Sequence, residues 1–112
     1  MRILLHLADG SYEAVELDEI FFFTAHGDET LVRLRGSRSR RDVRRLADLE
    51  WGLPAGTFFR IHRSHLVSLA KIRFLRRRDR GRDWEVKLEP PVNRVLPVSR
   101  GALAGLVEAL EG

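Results

Sequence analysis

The residues best able to make specific contacts in this sequence are arginines, and they are unevenly placed. Lys and Arg together number 20, and only Lys71 and Lys87 are lysines. Residues 31–82 carry sixteen basic and four acidic side chains, whereas residues 1–30 carry one basic and seven acidic ones. A guanidinium group suits bidentate contacts to phosphate or to guanine. The asymmetry indicates a surface that faces a polyanion. A G+C-rich genome could explain the preference for arginine, but not its clustering.

Two single arginines occupy positions from which a side chain should project. Arg63 lies where two strand-like segments break, so we expect it on a turn. Arg100 follows Ser99 at the start of a predicted helix, where free backbone N–H groups suit a phosphate. On residue chemistry alone, Arg63 could instead pair with an acidic N-terminal residue, and Arg100 could be an ordinary solvated residue of the first turn. Ser64 and Lys71 are candidates for phosphate contacts that position the domain without reading sequence.

The run of arginines at residues 76–82 is a weaker candidate. It surrounds a predicted hairpin turn at residues 79–82, Asp-Arg-Gly-Arg. Charge at such a tip is often only solvated. Non-specific contact with a nucleic-acid backbone is an equal alternative, and base reading is not favoured.

His62 and His65 raise the question of a metal site. In an extended strand, residues three apart point to opposite faces, so we expect the two rings to lie apart. No Asp, Glu or Cys follows at ligand spacing, and we therefore expect no metal. His62 is expected to pack under the turn that carries Arg63.

The sequence shows no pattern typical of an enzyme. It contains no nucleophile elbow, P-loop or H-E-x-x-H sequence. Its lack of cysteine excludes disulfides, thiol catalysis and cysteine-type zinc fingers. We expect no enzymatic activity, no cofactor and no small-molecule substrate.

The length and hydropathy pattern bound the organisation of the chain. Its 112 residues predict one domain with a single core. No apolar run of about 18 residues could span a membrane, and the start turns acidic too soon for a signal peptide. We expect a cytoplasmic protein.

Short apolar runs separated by turn signals predict a mostly β fold with eight or nine strands and two short helices. The predicted strands are Arg2 to Leu7, Tyr12 to Glu16, Ile20 to Ala25, Thr30 to Leu34, Phe58 to Ile61, Leu66-Val67, Ile72 to Arg77, Trp84 to Leu88 and Val95 to Val98. A terminal helix capped by Ser99 follows, with Leu103, Leu106, Val107 and Leu110 on one stripe.

The segment between residues 37 and 51 is ambiguous. Alternation of Ser and Arg from Ser37 to Arg41 could form a solvated edge strand, which positive charge would protect from aggregation. Asp42 could then cap a helix that spans residues 43–51. Gly52 and Pro54 end that helical pattern.

The segment FFRIHRSHLVSLAKI, residues 58–72, resembles the signature of LytTR-type DNA-binding domains. Three further blocks resemble that family at matching spacing: DEIFFFTAH at residues 18–26, LADLEWGLP at 46–54 and LPVSR at 96–100. The resemblance runs from about residue 4 to residue 110. The spacing of four blocks makes it specific, where RIHRS alone would be weak.

The resemblance implies elongated antiparallel β-sheets that read DNA through loops and strand ends instead of a recognition helix. By position, it places contacts in the loop from His26 to Asp28, at Arg63 and at Arg100. The full set of expected DNA-binding residues is His26, Asp28, Arg63, Ser64, Lys71, Ser99 and Arg100. Members of the family usually bind direct repeats, with one domain on each half-site. Most also carry an N-terminal receiver domain; this sequence has none, so we expect either a stand-alone regulator or a piece of a longer one.

The residues and the resemblance together predict a bacterial transcription regulator of the response-regulator type, from a two-component system. Its expected partner is double-stranded DNA, bound by monomers or by a homodimer on repeated half-sites. One alternative is an RNA-binding or non-specific nucleic-acid module, although RNA recognition usually needs exposed aromatic side chains. Another is a protein-interaction domain whose arginines meet an acidic partner.

Overall fold

The computed structural model describes all of residues 1–112 and confirms the mostly β fold. Its α-helices are α1 (Leu46–Trp51) and α2 (Arg100–Glu111), and single 3-10 turns span Leu17–Glu19 and Leu69–Lys71. Its strands are β1 (Arg2–His6), β2 (Tyr12–Glu16), β3 (Ile20–His26), β4 (Glu29–Leu34), β5 (Ser39–Asp42), β6 (Phe58–His62), β7 (His65–Ser68), β8 (Ile72–Arg77), β9 (Trp84–Leu88) and β10 (Val95–Val98). The molecule is elongated, with extents of 45 × 26 × 25 Å. No helix is long and apolar enough to cross a membrane.

The ten strands form three antiparallel sheets. A central sheet has the order β5-β4-β3-β7-β6, with β5 and β6 at its edges. A two-stranded hairpin of β1 and β2 and a three-stranded sheet of order β10-β9-β8 complete the fold. Strand β5 confirms the prediction of a charged edge strand in this region, since its sequence is Ser-Arg-Arg-Asp.

A bulge in β3 lets one strand supply two separate cores. Ile20 pairs with Leu34 but Phe22 pairs with Arg33, so Phe21 is an extra residue opposite β4. Ile20 and Phe23 pack into one core cluster, whereas Phe21 and Phe22 pack into the other. The three consecutive phenylalanines are all buried.

The two cores lie on opposite faces of the central sheet. On one face, the β1–β2 hairpin and α1 contribute buried residues such as Leu5 and Leu49. On the other, the three-stranded sheet and α2 contribute residues such as Val86 and Leu106. The resulting layers leave the ends of the central sheet open, and these ends carry the turns.

The region around Asp42 differs from the prediction. Helix α1 begins at Leu46 and not at residue 43, and Asp42 is the last residue of β5, not a helix cap. Its fully buried carboxylate accepts hydrogen bonds from the backbone N–H groups of His6 and Arg44, both at 2.9 Å. The Arg44 guanidinium donates two more, at 3.0 and 2.8 Å. A short polar side chain before an apolar stripe resembles a cap in sequence, but here it joins β5 to β1.

The start of α2 is where the sequence predicts it. Ser99 occupies the position before the first helical residue, but its side chain makes no capping hydrogen bond. The helix packs back along β6: a Cβ atom built on Gly105 would lie 3.1 Å from the ring of Phe59. A small residue at Gly105 therefore permits this close approach.

Candidate nucleic-acid interface

The turns that carry most of the predicted DNA-contacting residues meet at one end of the central sheet. Thr24 of β3 pairs with His65 of β7, so the turn after β3 and the turn before β7 are neighbours. The backbone N–H of Ala25 donates a 2.9 Å hydrogen bond to the carbonyl of Ser64, which ties the two turns together. This end, with the turns at residues 26–29 and 62–65, is called the reading end below.

The start of α2 reaches the same end from the other layer. The backbone N–H of Ser99 donates a 2.8 Å hydrogen bond to the carbonyl of Ile61, one residue before the end of β6. Arg100 follows as the first helical residue and is exposed, while Ser99 is half-buried. The free N–H groups of the first turn and the Arg100 guanidinium thus lie beside the Arg63 turn, an arrangement suited to an anion.

Arg60 holds the turn that presents Arg63. Its Nε donates to the carbonyl of His62 at 3.0 Å, and its Nη2 donates to the carbonyl of Arg63 at 2.7 Å. Its Nη1 also donates to Oε1 of Glu50 on α1 at 2.6 Å. All three guanidinium nitrogens of Arg60 therefore donate within the protein, whereas the Arg63 side chain is exposed and forms no ion pair. In the sequence, these two arginines differ only in their position relative to the turn.

The two histidines of this hairpin contradict the expected separation. His62 and His65 pair directly across the hairpin, and their ring centroids are 5.2 Å apart. The prediction was wrong because it placed both residues on one extended strand, whereas the chain reverses between them. No group of three potential metal ligands forms around them or elsewhere.

The hydrogen bonds of these histidines support the turn. The backbone N–H of Ser64 donates to Nδ1 of His62 at 3.1 Å, as expected for a residue packed under the Arg63 turn. His65 Nδ1 lies 3.1 Å from the hydroxyl of Thr24. Burial lowers the pKa of His65 to about 4, with further contributions from the charges of His62 and Arg94. His65 is thus neutral near pH 7 and adds no charge to the reading end.

The loop from His26 to Asp28 presents one neutralised acid. Gly27 adopts a positive φ of 61°, which the tight turn between β3 and β4 requires. His26 and Asp28 are exposed, and Oδ1 of Asp28 lies 3.0 Å from Nη2 of Arg45. Arg45 reaches the reading end because it lies in the segment between β5 and α1. The sequence pattern did not indicate this role, because it predicted residue 45 inside a helix.

Lys71 lies outside this group. It follows β7 at the opposite end of the strand from His65, and it is buried. Its Nζ lies 5.1 Å from the centroid of the Phe21 ring and 3.8 Å from a carboxylate oxygen of Glu89. The structure therefore brings together six of the seven predicted residues and gives Lys71 packing contacts in the second core.

The arginine-rich hairpin tip lies beside the start of α2. Val98, the last residue of β10, pairs with Trp84, and Trp84 pairs in turn with Arg77. The tip at residues 78–83 therefore extends from the edge at which β10 leads into Ser99. The Arg77 guanidinium lies 5.7 Å from the centroid of the Trp84 ring, so the base of the tip is packed.

Ion pairs sort the arginines into two groups. Acidic residues of the first third neutralise much of the basic segment at residues 38–45: the pairs are Glu13–Arg40, Glu19–Arg38, Asp28–Arg45 and Glu29–Arg41. The exposed arginines without an acidic partner are Arg63 and Arg100 at the reading end, Arg77, Arg80 and Arg82 at the hairpin tip, and Arg35, Arg73 and Arg94 elsewhere. The unpaired positive charge is therefore smaller than the count of basic residues indicates.

Comparison with known proteins agrees with this geometry. The family of LytTr DNA-binding domains matches residues 10–111 of the chain. A solved LytTr DNA-binding domain from Bacillus cereus, from a protein described as a methyl-accepting/DNA response regulator, is similar in fold, with a TM-score of 0.78 and 21% sequence identity. The match covers 99% of this chain and 97% of that one. No curated protein sequence matches. The family match spans nearly the whole sequence, and the chain therefore belongs to the LytTR family of DNA-binding domains.

Proposed function

We propose that this chain reads specific sequences in double-stranded DNA through its reading end, as the output domain of a bacterial transcription regulator. The observation that carries the proposal is the convergence of three separate segments at one end of the molecule. They are the loop from His26 to Asp28, the Arg63 turn and the start of α2 with Arg100. Each presents an exposed side chain with hydrogen-bond donors.

The roles of these side chains follow from their chemistry. An arginine that projects from a rigid turn is suited to bidentate donation to O6 and N7 of guanine in the major groove. Arg63 and Arg100 are the two candidates for base readers. The hydroxyl groups of Ser64 and Ser99 and the backbone N–H groups of α2 are suited to phosphate, which fixes position without reading sequence.

Duplex DNA suits this surface better than single-stranded RNA does. Recognition of splayed bases needs aromatic side chains on which the bases stack. The phenylalanines of β3 are buried in the cores, and the most exposed tryptophan, Trp51, is 89% exposed at the end of α1, away from the two reading turns in sequence. The candidate readers are instead Arg, His, Ser and Asp.

We further propose that the domain binds direct-repeat sites, with one copy on each half-site and the copies acting as monomers or as a homodimer. Selection of a random duplex library at about 150 mM salt, a concentration at which non-specific phosphate contacts are weakened, tests this proposal. Enrichment of a repeated motif is expected. Retention of duplexes without any motif would leave a non-specific binder, and no retention would favour an acidic protein partner.

A double variant makes the selection decisive. Arg63→Ala with Arg100→Ala should abolish motif enrichment while far-ultraviolet circular dichroism shows an intact β fold, because both side chains are exposed. Arg73→Ala with Arg38→Ala is the matched control, since it removes two exposed arginines away from the reading end. Enrichment of the same motif by the reading-end variant would assign recognition to another surface.

A further inference from the structure

A groove on the central sheet has chemistry that DNA reading does not use. It lies on the face formed by β3, β4 and β5 and has a volume of about 200 Å³. Its main lining residues are Phe22, Thr24, Leu31, Arg33, Ser39 and Arg94. Cross-strand pairing of Phe22 with Arg33, of Thr24 with Leu31 and of Arg33 with Ser39 places these side chains on one face. It is called the Arg33–Arg94 groove below.

The Arg33–Arg94 groove adjoins the reading end and extends away from it, since Thr24 at its edge lies 3.1 Å from His65. The Phe22–Arg33 pair lies four residues along β3 from His26, which is about 13 Å in an extended strand. Arg94 belongs to the connection between β9 and β10 and crosses from the neighbouring layer. Its guanidinium lies 5.6 Å from the centroid of the Phe22 ring. The central sheet therefore forms the floor of the groove, with Phe22, and the β9–β10 connection forms one wall, with Arg94.

Arg33 lines this groove, and its guanidinium makes one hydrogen bond within the protein. Its Nη2 donates to the carbonyl of Gly36 at 2.9 Å. Its Nε is buried and has no hydrogen-bond partner, and it is the one buried side-chain nitrogen or oxygen in the protein for which this is true. A buried donor of a charged group without a partner is costly. A ligand cannot reach this enclosed nitrogen, but Arg33 Nη1 also has no hydrogen-bond partner and is accessible to solvent.

The charge around the groove is positive and uncompensated. Neither Arg33 nor Arg94 forms an ion pair. The acid closest along β4, Glu29, is paired with Arg41 at 3.4 Å. His65, which bonds Thr24 at the groove's edge, is neutral near pH 7. The remaining polar groups are the hydroxyls of Thr24 and Ser39, so the groove offers donors and a net charge of one sign.

The floor and the size of the groove restrict the ligand further. Phe22 is buried with its ring face towards Arg94, and Leu31 is half-buried beside it. An apolar cavity of roughly 150 Å³ accepts a benzene ring. The groove is thus large enough for one ring that carries an acidic group, and too small for most drug-sized or dinucleotide ligands.

We propose that the Arg33–Arg94 groove binds a small aromatic anion, with its carboxylate or phosphate between the two arginines and its ring over Phe22 and Leu31. In this arrangement Arg33 Nη1 donates to the anion, and the Arg94 guanidinium supplies the second donor. The proposal does not depend on the proposed DNA-reading function.

The test is a titration of the full chain, labelled with ¹⁵N, with benzoate and phenyl phosphate as probes. We expect saturable chemical-shift changes at the backbone amides of Thr24, Leu31, Arg33 and Ser39. Benzamide, which has the ring without the charge, should bind at least about tenfold more weakly. Inorganic phosphate, which has the charge without the ring, should also bind about tenfold more weakly.

Two variants locate the site. Arg94→Gln should weaken benzoate binding about tenfold, and because Arg94 is exposed the substitution should not disturb folding. Arg33→Gln should do the same, because it removes the other guanidinium that lines the groove. Arg73→Gln, which removes an exposed arginine that lies over Phe74 on β8, should leave binding unchanged.

Three results would overturn the proposal. They are no saturable shifts up to about 10 mM probe, equal binding of benzoate by the Arg94→Gln variant, and equal binding of inorganic phosphate and benzoate. The last would reduce the groove to a simple anion site and remove the aromatic part of the proposal.

Discussion

The guanidinium of Arg60 donates a 2.7 Å hydrogen bond to the backbone carbonyl of Arg63, and so one arginine positions the turn on which another is presented. Arg60 also bonds the carbonyl of His62 and the carboxylate of Glu50. It therefore connects the turn to α1, and the direction of Arg63 depends on a side chain that need not touch DNA.

Arg60→Lys should weaken DNA binding by about 1–2 kcal/mol, because an ammonium group cannot make the forked contacts to two carbonyls and a carboxylate. Fluorescence anisotropy with the selected duplex measures the change. Arg38→Lys, at an exposed ion pair with Glu19, is the control and should bind normally. A positioning role also predicts shifted amide resonances at residues 62–65 in the free protein. Normal affinity with shifted resonances would show that this turn does not contribute to binding.

Arg100→Ala should cost about 1–3 kcal/mol on the selected duplex and much less on random duplex. The reason is that a base-reading arginine contributes only where its guanine is present. Competition binding with single-base variants of the selected site should show relaxed preference at one position. Equal loss on specific and random DNA would instead assign Arg100 to a phosphate.

Arg80→Ala with Arg82→Ala should weaken binding to all duplexes by a similar factor. The hairpin tip lies beside the start of α2, but no contact within the protein orients these two arginines towards a base edge. Each phosphate contact removed should reduce the slope of log K against log salt by about 0.9. Measurement at several salt concentrations gives this slope. An unchanged slope would mean that the tip is only solvated charge.

Stability should fall as the pH drops from about 6.5 towards 4, because of His65. Its folded pKa of about 4 lies below the ordinary value of 6.5, so in this window the unfolded chain binds a proton that the folded chain does not. The loss should be about 1–2 kcal/mol after allowance for solvent screening of a half-buried ring. Urea unfolding at pH 7.5 and pH 4.5 measures it. His65→Gln should flatten the dependence, whereas His26→Gln should preserve it.

Asp42→Ala should destabilise the fold by about 2–4 kcal/mol, because it leaves two backbone N–H groups and the Arg44 guanidinium without their acceptor. Burial opposes ionisation of Asp42, but the hydrogen bonds from Arg44 and from the His6 N–H outweigh it, and its pKa is lowered. The free energy of unfolding of the protein that carries Asp42 should therefore decrease when the pH drops below the ordinary aspartate range. Asp48→Ala, on the exposed side of α1, is the control and should change the unfolding midpoint little.

The sequence predicted strands well where local patterns alone determine them. The hairpins closed at Gly10 and at residues 79–82, and the helix after Ser99, follow from turn chemistry and periodicity. Asp42 was misassigned because one of its hydrogen-bond donors is the backbone N–H of His6, which is 36 residues away and cannot be seen in a local pattern. The histidine rings were misplaced because the prediction treated His62 and His65 as parts of one extended strand, whereas the chain reverses between them.

The site was partly predictable for the same reason. The resemblance indicated three candidate segments, and their proximity depends on strand order in the central sheet. Which arginines remain unpaired depends on long-range ion pairs such as Glu13–Arg40, at 2.7 Å. Composition alone counted Arg40 and Arg63 alike, although one is neutralised and the other is exposed.

The bulge at Phe21 also has a consequence for how the protein loses its structure. Because β3 supplies side chains to both cores, neither core is complete without this strand. Unfolding of the β1–β2 hairpin would remove packing contacts from Ile20 and Phe23. It would thereby destabilise β3, the same strand that places Phe21 and Phe22 in the other core. The whole chain should therefore unfold on heating in one calorimetric transition. A destabilising substitution far from the reading end should then unfold the reading end as well.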